Sequence, residues 1–412
     1  MDTSTLAKVR ELTGKDAYFV GGCVRDHFLN RESSDLDVMV IGDDASISDL
    51  ISRGWVPTGK SFPNFNHPEL PNVDLALARG ETKTGRGHTE FSYHLAQSVP
   101  EDLSRRDFSV NAMAIAESGI LFDPFGGVVD LNAKKLRHVS DAFSEDPLRV
   151  FRGARFAAQL DFDIDTQTTL KMRSLGEELL TLSKDRVREE FLKGLNSDQP
   201  TKFFVVLWHA DVLQFWFPEL DKLQFVPAGK EIHHPEGDTF SHTMLALQYC
   251  ADKKFNTLTR IFALCHDLGK ADTPRSEWPA HHGHEARTEN ADAMLGRLGF
   301  NEGVRRQTAT HIRHHLLPNQ PRLKPTTVVN YWKATKRMRD EHFGAYHADI
   351  NGHGAKEHKE SARVGQLRDI FGELDNVQVV PSKNVQTIHQ QFQRAAAGAM
   401  AKTPELGKKW GS

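Results

Sequence analysis

Asp35 and Asp37 stand one residue apart in Ser33-Ser34-Asp35-Leu36-Asp37-Val38-Met39-Val40-Ile41, shortly after the turn Gly21-Gly22-Cys23-Val24-Arg25-Asp26. In a strand, side chains at i and i+2 leave the same face, at a rise of about 3.3 Å per residue. Two carboxylates so placed converge on a hard cation such as Mg2+, which takes one or two carboxylates together with water and phosphate oxygens. A strand–Gly-Gly–helix turn offers backbone N–H groups and the positive end of a helix to phosphate. The chemistry implied is nucleotidyl transfer, in which metal ions activate an attacking hydroxyl and neutralise the leaving pyrophosphate. Asp74 adds a third carboxylate, ranked below the pair. Asp-x-Asp alone equally describes a solvated strand edge, and Gly-Gly alone a tight turn. Their juxtaposition with Arg25 carries the reading.

Further along, Arg105, Arg106 and Asp107 follow Glu101-Asp102. Guanidinium groups suit phosphate and a carboxylate suits a ribose hydroxyl; a surface ion-pair patch is the alternative. Residues 123–131, Asp-Pro-Phe-Gly-Gly-Val-Val-Asp-Leu, make either a turn or a hinge that repositions a nucleotide. In Glu145-Asp146-Pro147-Leu148-Arg149-Val150-Phe151-Arg152-Gly153-Ala154-Arg155, a carboxylate accepts from an exocyclic amino group and an arginine donates to ring acceptors. Cytosine and adenine both present an amino group on the pairing edge, whereas guanine and uracil present carbonyls. An Asp146/Arg149 pair therefore selects C and A, and an unpaired buried partner costs a wrong base about 1–3 kcal/mol. The alternative is a helix cap with arginines facing solvent.

The ordered set GGCVRD, SDLDV, DLALARGETKTGRG, EDLSRRDFSVNAMA, DPFGGVVDL and EDPLRVFRGARFAA resembles the class II tRNA nucleotidyltransferases, the CCA-adding enzymes, in the bacterial form with an appended HD domain. The similarity runs from about residue 17 to about residue 360. The resemblance implies a two-metal, polymerase-β-like head with Asp35 and Asp37 as ligands of Mg2+. It implies Gly22 and Arg25 at the triphosphate, and Arg106 with Asp107 near the sugar. It also implies Asp146 and Arg149 at the base, with Arg152 and Arg155 alongside. Asp74 occupies a strand position where the family usually carries an acidic residue, often Glu. The implied partners are CTP, ATP and the 3′ end and acceptor stem of tRNA. Lys184, Arg186, Arg188 and Lys193 are candidates for the acceptor-stem backbone, although a solvated face balanced by Glu189 and Glu190 explains them equally well.

Fourteen of the 21 histidines lie between His233 and His358. Among them His266-Asp267 ends an apolar run, with His242 upstream, and this resembles the HD phosphohydrolases. Asp349 falls where that superfamily's trailing aspartate is expected. Imidazole and carboxylate suit Ni2+, Mn2+, Zn2+ or Co2+ as well as Mg2+, and a metal so held activates water against a phosphoester. By resemblance the substrates are 2′,3′-cyclic phosphates and 2′-phosphates, with some general phosphatase action. His281, His282 and His284 are candidate extra ligands or phosphate contacts; His311, His314 and His315 are expected to be structural or on the surface.

These residues need elements to hold them. Residues 17–20, 36–41 and 73–78 read as strands and 23–29 as a helix opening, while 82–92 reads as a loop. Residues 109–116 suit either strand or helix. From about 145 helical periodicity dominates, with an acidic cap and Pro147 opening one helix and further helices over 167–182 and 185–195. The expected class is α+β: a polymerase-β-like nucleotidyltransferase head with a mixed sheet, then a mostly α-helical neck and body and an HD domain. The divisions expected are a head over 1–135, a helical neck over 136–227, an HD domain over 228–360 and a helical tail over 361–412. Neither the stretch before Asp16 nor the tail suggests a role.

The chain's 412 residues suffice for several domains, and 39% hydrophobic with 26% charged residues is ordinary composition. A net charge of −3 argues against tracking long nucleic acid by bulk electrostatics, but not against one folded RNA. Three dispersed cysteines and an N-terminus without a basic-then-apolar pattern point to a cytoplasmic protein, with no membrane partner, as monomer or homodimer. A bacterial poly(A) polymerase shares the head motifs, but the HD domain and acidic balance oppose it. A tRNA-binding module with relic sites is opposed by intact Asp35, Asp37, His266 and Asp267.

Overall fold

Strands β1 (Ala17–Val20), β2 (Leu36–Val40), β3 (Val56–Thr58), β4 (Asn64–His67), β5 (Leu70–Leu77), β6 (Arg79–Lys83), β7 (Phe91–Leu95), β8 (Ala114–Ala116) and β9 (Leu121–Phe122) are all confined to the first third of the chain. The computed structural model describes residues 2–33, 35–43, 45–58, 63–83, 91–320, 323–353, 362–378 and 385–402. Among these the chain forms two units, residues 1–190 with 205–215, and residues 191–204 with 216–412.

In the first unit seven strands make one sheet in the order β3-β4-β5-β2-β1-β8-β9. The β2–β5 pair is parallel and its neighbours are antiparallel, so the sheet is mixed. A parallel pair needs a crossover, supplied here by the helix Ser46–Ser52 with β3 and β4. The chain is α+β with a polymerase-β-like head, as the motifs imply. Val38, Met39 and Val40 are all buried, because β2 is covered on both faces. Met39 packs with Val20, Ala78, Leu103 and Ala114, and Asp37 leaves the same face two residues earlier. The register sets Asp37 opposite Asp74.

Two local expectations change and one left open is decided. Both ends of 82–92 belong to the antiparallel β6–β7 hairpin, while 84–90 lies outside the described residues. The stretch 109–116 is a 3-10 turn, Ser109–Asn111, followed by β8. The helix expected over 167–182 is two pieces, Thr166–Ser174 and Glu177–Thr181. The break comes at Gly176, where a Cβ would lie 2.4 Å from the Phe215 ring.

Among its described residues the second unit is built of helices joined by turns and loops, with one isolated bridge between Pro227 and Asp238. Its helices start on short polar caps: Asp238 accepts from Ser241 N, Asn256 from Thr259 N, and Asn301 from Val304 N. Helix Pro325–Thr335 buries Tyr331 and Trp332 against Phe371 of helix Ala362–Asp375 and Ala396 of helix Val385–Ala401.

Candidate active site and candidate metal centre

The Gly-Gly turn works because Gly21 takes φ +73°, where a side chain is strained. A Cβ there would sit 2.9 Å from Arg106 Nη1 and 3.3 Å from Asp37 Oδ2. Gly21 thus lets the start of helix Gly22–Phe28 approach the strand carboxylate. Beside it opens a cavity of about 690 Å³ lined by eight arginines (Arg25, Arg79, Arg105, Arg106, Arg149, Arg152, Arg155, Arg186) and three aspartates (Asp37, Asp107, Asp146). Such a concentration of guanidinium fits a polyphosphate.

Most of these arginines have an orienting partner. Arg25 donates to both oxygens of Asp26 at 2.9 Å and, through Nη1, to Asn111 Oδ1 at 2.7 Å. Asn111 donates on to Asp107 Oδ1 at 3.0 Å, and Arg152 Nε donates to Asp107 Oδ2 at 2.7 Å. Burial alone would raise the Asp107 carboxyl, but Arg152 and Asn111 outweigh it and hold it down at about 2. Asp102, buried, pairs Arg105 and Arg106 at 2.9 Å each. This residue went unassigned in the sequence, although the i, i+3, i+4 spacing of Asp102, Arg105 and Arg106 announces it. Arg155 pairs with buried Glu190 and lies 4.0 Å over the Phe156 ring.

Asp146 and Arg149, expected at the base, both line the cavity and both have protein partners. Asp146 caps its helix, accepting from Leu148 N at 3.0 Å, and its other oxygen accepts from Arg186 Nη2 at 2.7 Å. Arg149 donates to the carbonyls of Ala142 and Arg105 at 2.9 and 2.7 Å. Arg186, expected as an acceptor-stem contact, therefore lines the cavity, whereas Lys184 and Lys193 are exposed and Arg188 pairs with Asp185. The Gly-rich segment is a helix start, with Asp123 accepting from Gly127 N and Val128 N.

Asp37 is exposed to the cavity at the head of β2, yet its carboxyl is raised. Desolvation is the main cause; Arg106 opposes it, and Asp74 and Asp35 add like charge. A cation beside Asp37 relieves both effects, so the donor set fits a hard divalent metal. Asp74 accepts from Asn66 Nδ2 at 2.9 Å, and Asp35 is exposed at the entry to β2. Among the described residues, the clusters of three or more metal-ligating groups all lie in the second unit.

In the second unit His242, His266, Asp267 and Asp349 converge from helix Thr239–Asp252, the end of helix Thr257–Cys265 and helix Arg339–Asn351. His242 Nε2 lies 3.1 Å and His266 Nε2 3.5 Å from Asp349 Oδ1, and His266 Nε2 lies 3.2 Å from Asp267 Oδ2. Asp267 turns its other oxygen to His284 Nε2 at 3.1 Å and His315 Nε2 at 3.8 Å. His315, expected to be structural, belongs to this centre. The centre fits a metal on two grounds. His266 Nε2 is buried without a hydrogen-bond partner, and although burial disfavours its charge, Asp267 and Asp349 push its pKa up to about 10. Both features call for a positive charge at that atom, and the imidazole–carboxylate donors suit a transition metal. Lys270 Nζ, 2.7 Å from Asp267 Oδ2, supplies part of it.

The other histidines singled out in the sequence have partners away from Asp267 and Asp349. His281 bonds Thr273 Oγ1 and the Pro227 carbonyl, and His282 is exposed. His311 pairs with His342 at 2.9 Å and stacks on Phe262, while His314 stacks on Tyr331.

Residues 17–137 match the Poly A polymerase head domain family, and residues 161–224 match the family described as a probable RNA and SrmB-binding site of polymerase A. The chain is 41% identical to a multifunctional CCA protein of Dechloromonas aromatica over 78% of its own length and 79% of the relative's. It is 39% identical to that of Alcanivorax borkumensis over 86% and 88%. Among solved structures it resembles a Thermotoga maritima CCA-adding enzyme complexed with tRNA-CCA, with TM-score 0.62 and 17% identity over 99% of this chain and 95% of that one. A CCA-adding enzyme in complex with CTP matches with TM-score 0.63 and 17% identity over 97% and 92%.

Proposed function

The chain belongs to the multifunctional CCA protein family, and from that premise we propose that it builds and repairs the 3′-terminal CCA of tRNA. It uses CTP and ATP without a nucleic-acid template. The observation that carries the reading is the arginine-lined cavity with Asp37 at its edge and the Gly21 turn beside it. Asp35 and Asp37, with Asp74 on the adjoining strand, would hold Mg2+, which neutralises the triphosphate and promotes attack by the RNA 3′ hydroxyl. Gly22 and Arg25 orient the triphosphate. Arg106 and Asp107 meet the sugar. Asp146 accepts from the amino group of C or A, with Arg149, Arg152 and Arg155 shaping the pocket around it. A carbonyl in place of the amino group leaves that carboxylate unpaired, which discriminates against G and U.

The second unit is a phosphohydrolase centre acting on 2′,3′-cyclic phosphates, 2′-phosphates and simple phosphomonoesters. His242, His266, Asp267 and Asp349 hold a transition metal such as Ni2+, or Mn2+ or Mg2+ in its place, with His284 and His315 completing the ring around Asp267. The partners are tRNA, CTP and ATP, met in the cytoplasm by a monomer or homodimer. Among the described residues no helix is long and apolar enough to cross a membrane.

A tRNA trimmed to its discriminator base, incubated with Mg2+ and each nucleotide singly and together, tests the main reading. It requires CTP-dependent addition first and then a single A. Long ATP-only tails indicate a poly(A) polymerase instead, and no extension sinks both. Asp35→Ala is expected to abolish addition while tRNA binding persists.

A further inference from the structure

We infer that Glu236 is the positioning residue of the histidine–aspartate centre: it sets the tautomer of His242 and so directs that ring's Nε2 lone pair at the cation position beside Asp349. The inference rests on reading the centre as a metal site. It goes further by assigning a residue outside the ligand set.

A neutral imidazole carries its proton on one nitrogen, and the partner of that nitrogen decides which one is left to bind metal. Three histidines of the centre solve this in one way. His266 Nδ1 donates to Ala263 O at 2.8 Å, His284 Nδ1 to His281 O at 2.8 Å, and His315 Nδ1 to Ile312 O at 2.6 Å. Each acceptor is the carbonyl three residues back. His266 and His315 follow directly on helices Thr257–Cys265 and Glu302–His314, where such carbonyls lack a helical donor. A carbonyl only accepts, so Nδ1 holds the proton and Nε2 faces the carboxylates.

His242 cannot do the same. It lies inside helix Thr239–Asp252, where the carbonyl three residues back, Thr239 O, already accepts from Thr243 Oγ1 at 2.8 Å. The preceding carbonyl, Asp238 O, takes the His242 backbone N–H. An acceptor from outside the helix is required, and Glu236 supplies it, with Oε1 2.9 Å from His242 Nδ1. Its side chain is only 4% exposed. The turn that carries it is pinned by Gly237, at φ +89°, whose carbonyl accepts from Ala228 N at 2.9 Å. His234 Nδ1 at 2.8 Å and His353 Nδ1 at 3.5 Å close on the same oxygen. The result is a carboxylate–imidazole–cation chain, and loss of such a carboxylate typically costs about 10–100-fold in metal affinity.

The test is Co2+ titration of chelator-stripped full-length protein, followed by calorimetry and the visible absorption of the bound ion, in wild type, Glu236→Leu and His266→Ala. Glu236→Leu is expected to bind about 10–100-fold more weakly with the band unchanged in position, since no ligand is lost. Wild-type affinity in Glu236→Leu, which removes the acceptor oxygen that glutamine keeps, overturns the inference. So does loss of a whole equivalent of Co2+ with the His266-dependent band intact, which makes Glu236 the ligand of an outer ion. If wild type binds no Co2+, or His266→Ala binds like wild type, the centre itself falls and the inference with it. Histidine-selective 15N spectra of Zn2+-loaded wild type provide a check independent of the variant's folding. A protonated Nδ1 on His242 supports the assignment, and a protonated Nε2 overturns it.

Discussion

Arg186→Gln separates two roles for one side chain. By sequence Arg186 belongs to a basic stretch suited to the acceptor-stem backbone; in the structure its Nη2 donates to Asp146 Oδ2 at 2.7 Å. Charge-assisted hydrogen bonds contribute about 1.5–3 kcal/mol. With Arg186 and Asp146 side chains 34% and 24% exposed, solvent screening reduces that towards about 1 kcal/mol. Glutamine leaves Asp146 held on one oxygen by Leu148 N and free to turn on the other. Since 1.4 kcal/mol is a factor of ten, kcat/KM for CTP and ATP is expected to fall about five- to tenfold. Discrimination against UTP narrows, because UTP does not use the Asp146 acceptor. The assay is single-nucleotide addition to tRNA ending before each position of the triplet, with nucleotide and tRNA varied separately. The KM for tRNA should stay within about twofold, since a lost nucleotide contact appears in the nucleotide parameters. A raised KM for tRNA with unchanged nucleotide kinetics refutes the reasoning and returns Arg186 to the RNA backbone.

Three other perturbations probe the remaining parts. Gly21→Ala places a Cβ 2.9 Å from Arg106 Nη1 at positive φ; a backbone cost of about 1–3 kcal/mol should lower the melting temperature modestly. Displacement of Asp37 and Arg106 should cut addition about a hundredfold, and a near-normal rate defeats the turn's assigned purpose. His266→Ala is expected to spare CCA addition and to remove hydrolysis of a 2′,3′-cyclic nucleotide, measured on one preparation; equal loss of both contradicts separate centres. His342, buried and further disfavoured by His314 and His315, is held down at about 3 from an ordinary value of 6.5. The folded state keeps it neutral while the unfolded chain takes up a proton below pH 6.5. Stability is therefore full above 6.5 and drains away as pH falls towards 3, by a few kcal/mol at most. Urea midpoints against pH should show a shallower acid slope in His342→Gln, and an identical slope rules the effect out.

What could be read in advance depended on whether a residue's partner was near in sequence. β1 and β2 were legible from short, largely buried apolar runs and β5 from the alternation that buries Val73, Leu75 and Leu77 on one face, and the Asp35–Asp37 spacing follows from strand period alone. The Asp37–Asp74 juxtaposition was less so, since parallel register joins segments through a crossover that composition does not specify. The hairpin β6–β7 escaped because Gly, Thr and charge dominate its sequence, and pairing rather than propensity makes it a ladder. Asp102 was visible by helical spacing, whereas Glu190 under Arg155 and Arg186 on Asp146 are 35 and 40 residues from their partners. His315 was misplaced for the same reason. Nothing local distinguishes it from His314, and the turn of one residue at a helix end sends one ring to Tyr331 and the next to Asp267.

The two centres answer opposite electrostatic problems, and this explains why they are built from different residues. On the proposed function, phosphate and cation both arrive with substrate at the head, and the protein supplies an excess of guanidinium whose carboxylate partners, Asp26, Asp102, Asp107, Asp146 and Glu190, orient the arginines without saturating their five donors. Asp35 and Asp37 are both exposed, so on that reading the site assembles on the ligand. In the second unit the ligand atoms are buried before any substrate arrives, and every ring is committed through Nδ1 to a fixed acceptor. Burial there strengthens the pull of Asp267 and Asp349 on a positive charge beside His266 Nε2. An arginine-rich pocket would fail in the second setting because guanidinium cannot ligate metal. A histidine cage would fail in the first because a neutral imidazole offers triphosphate no positive charge.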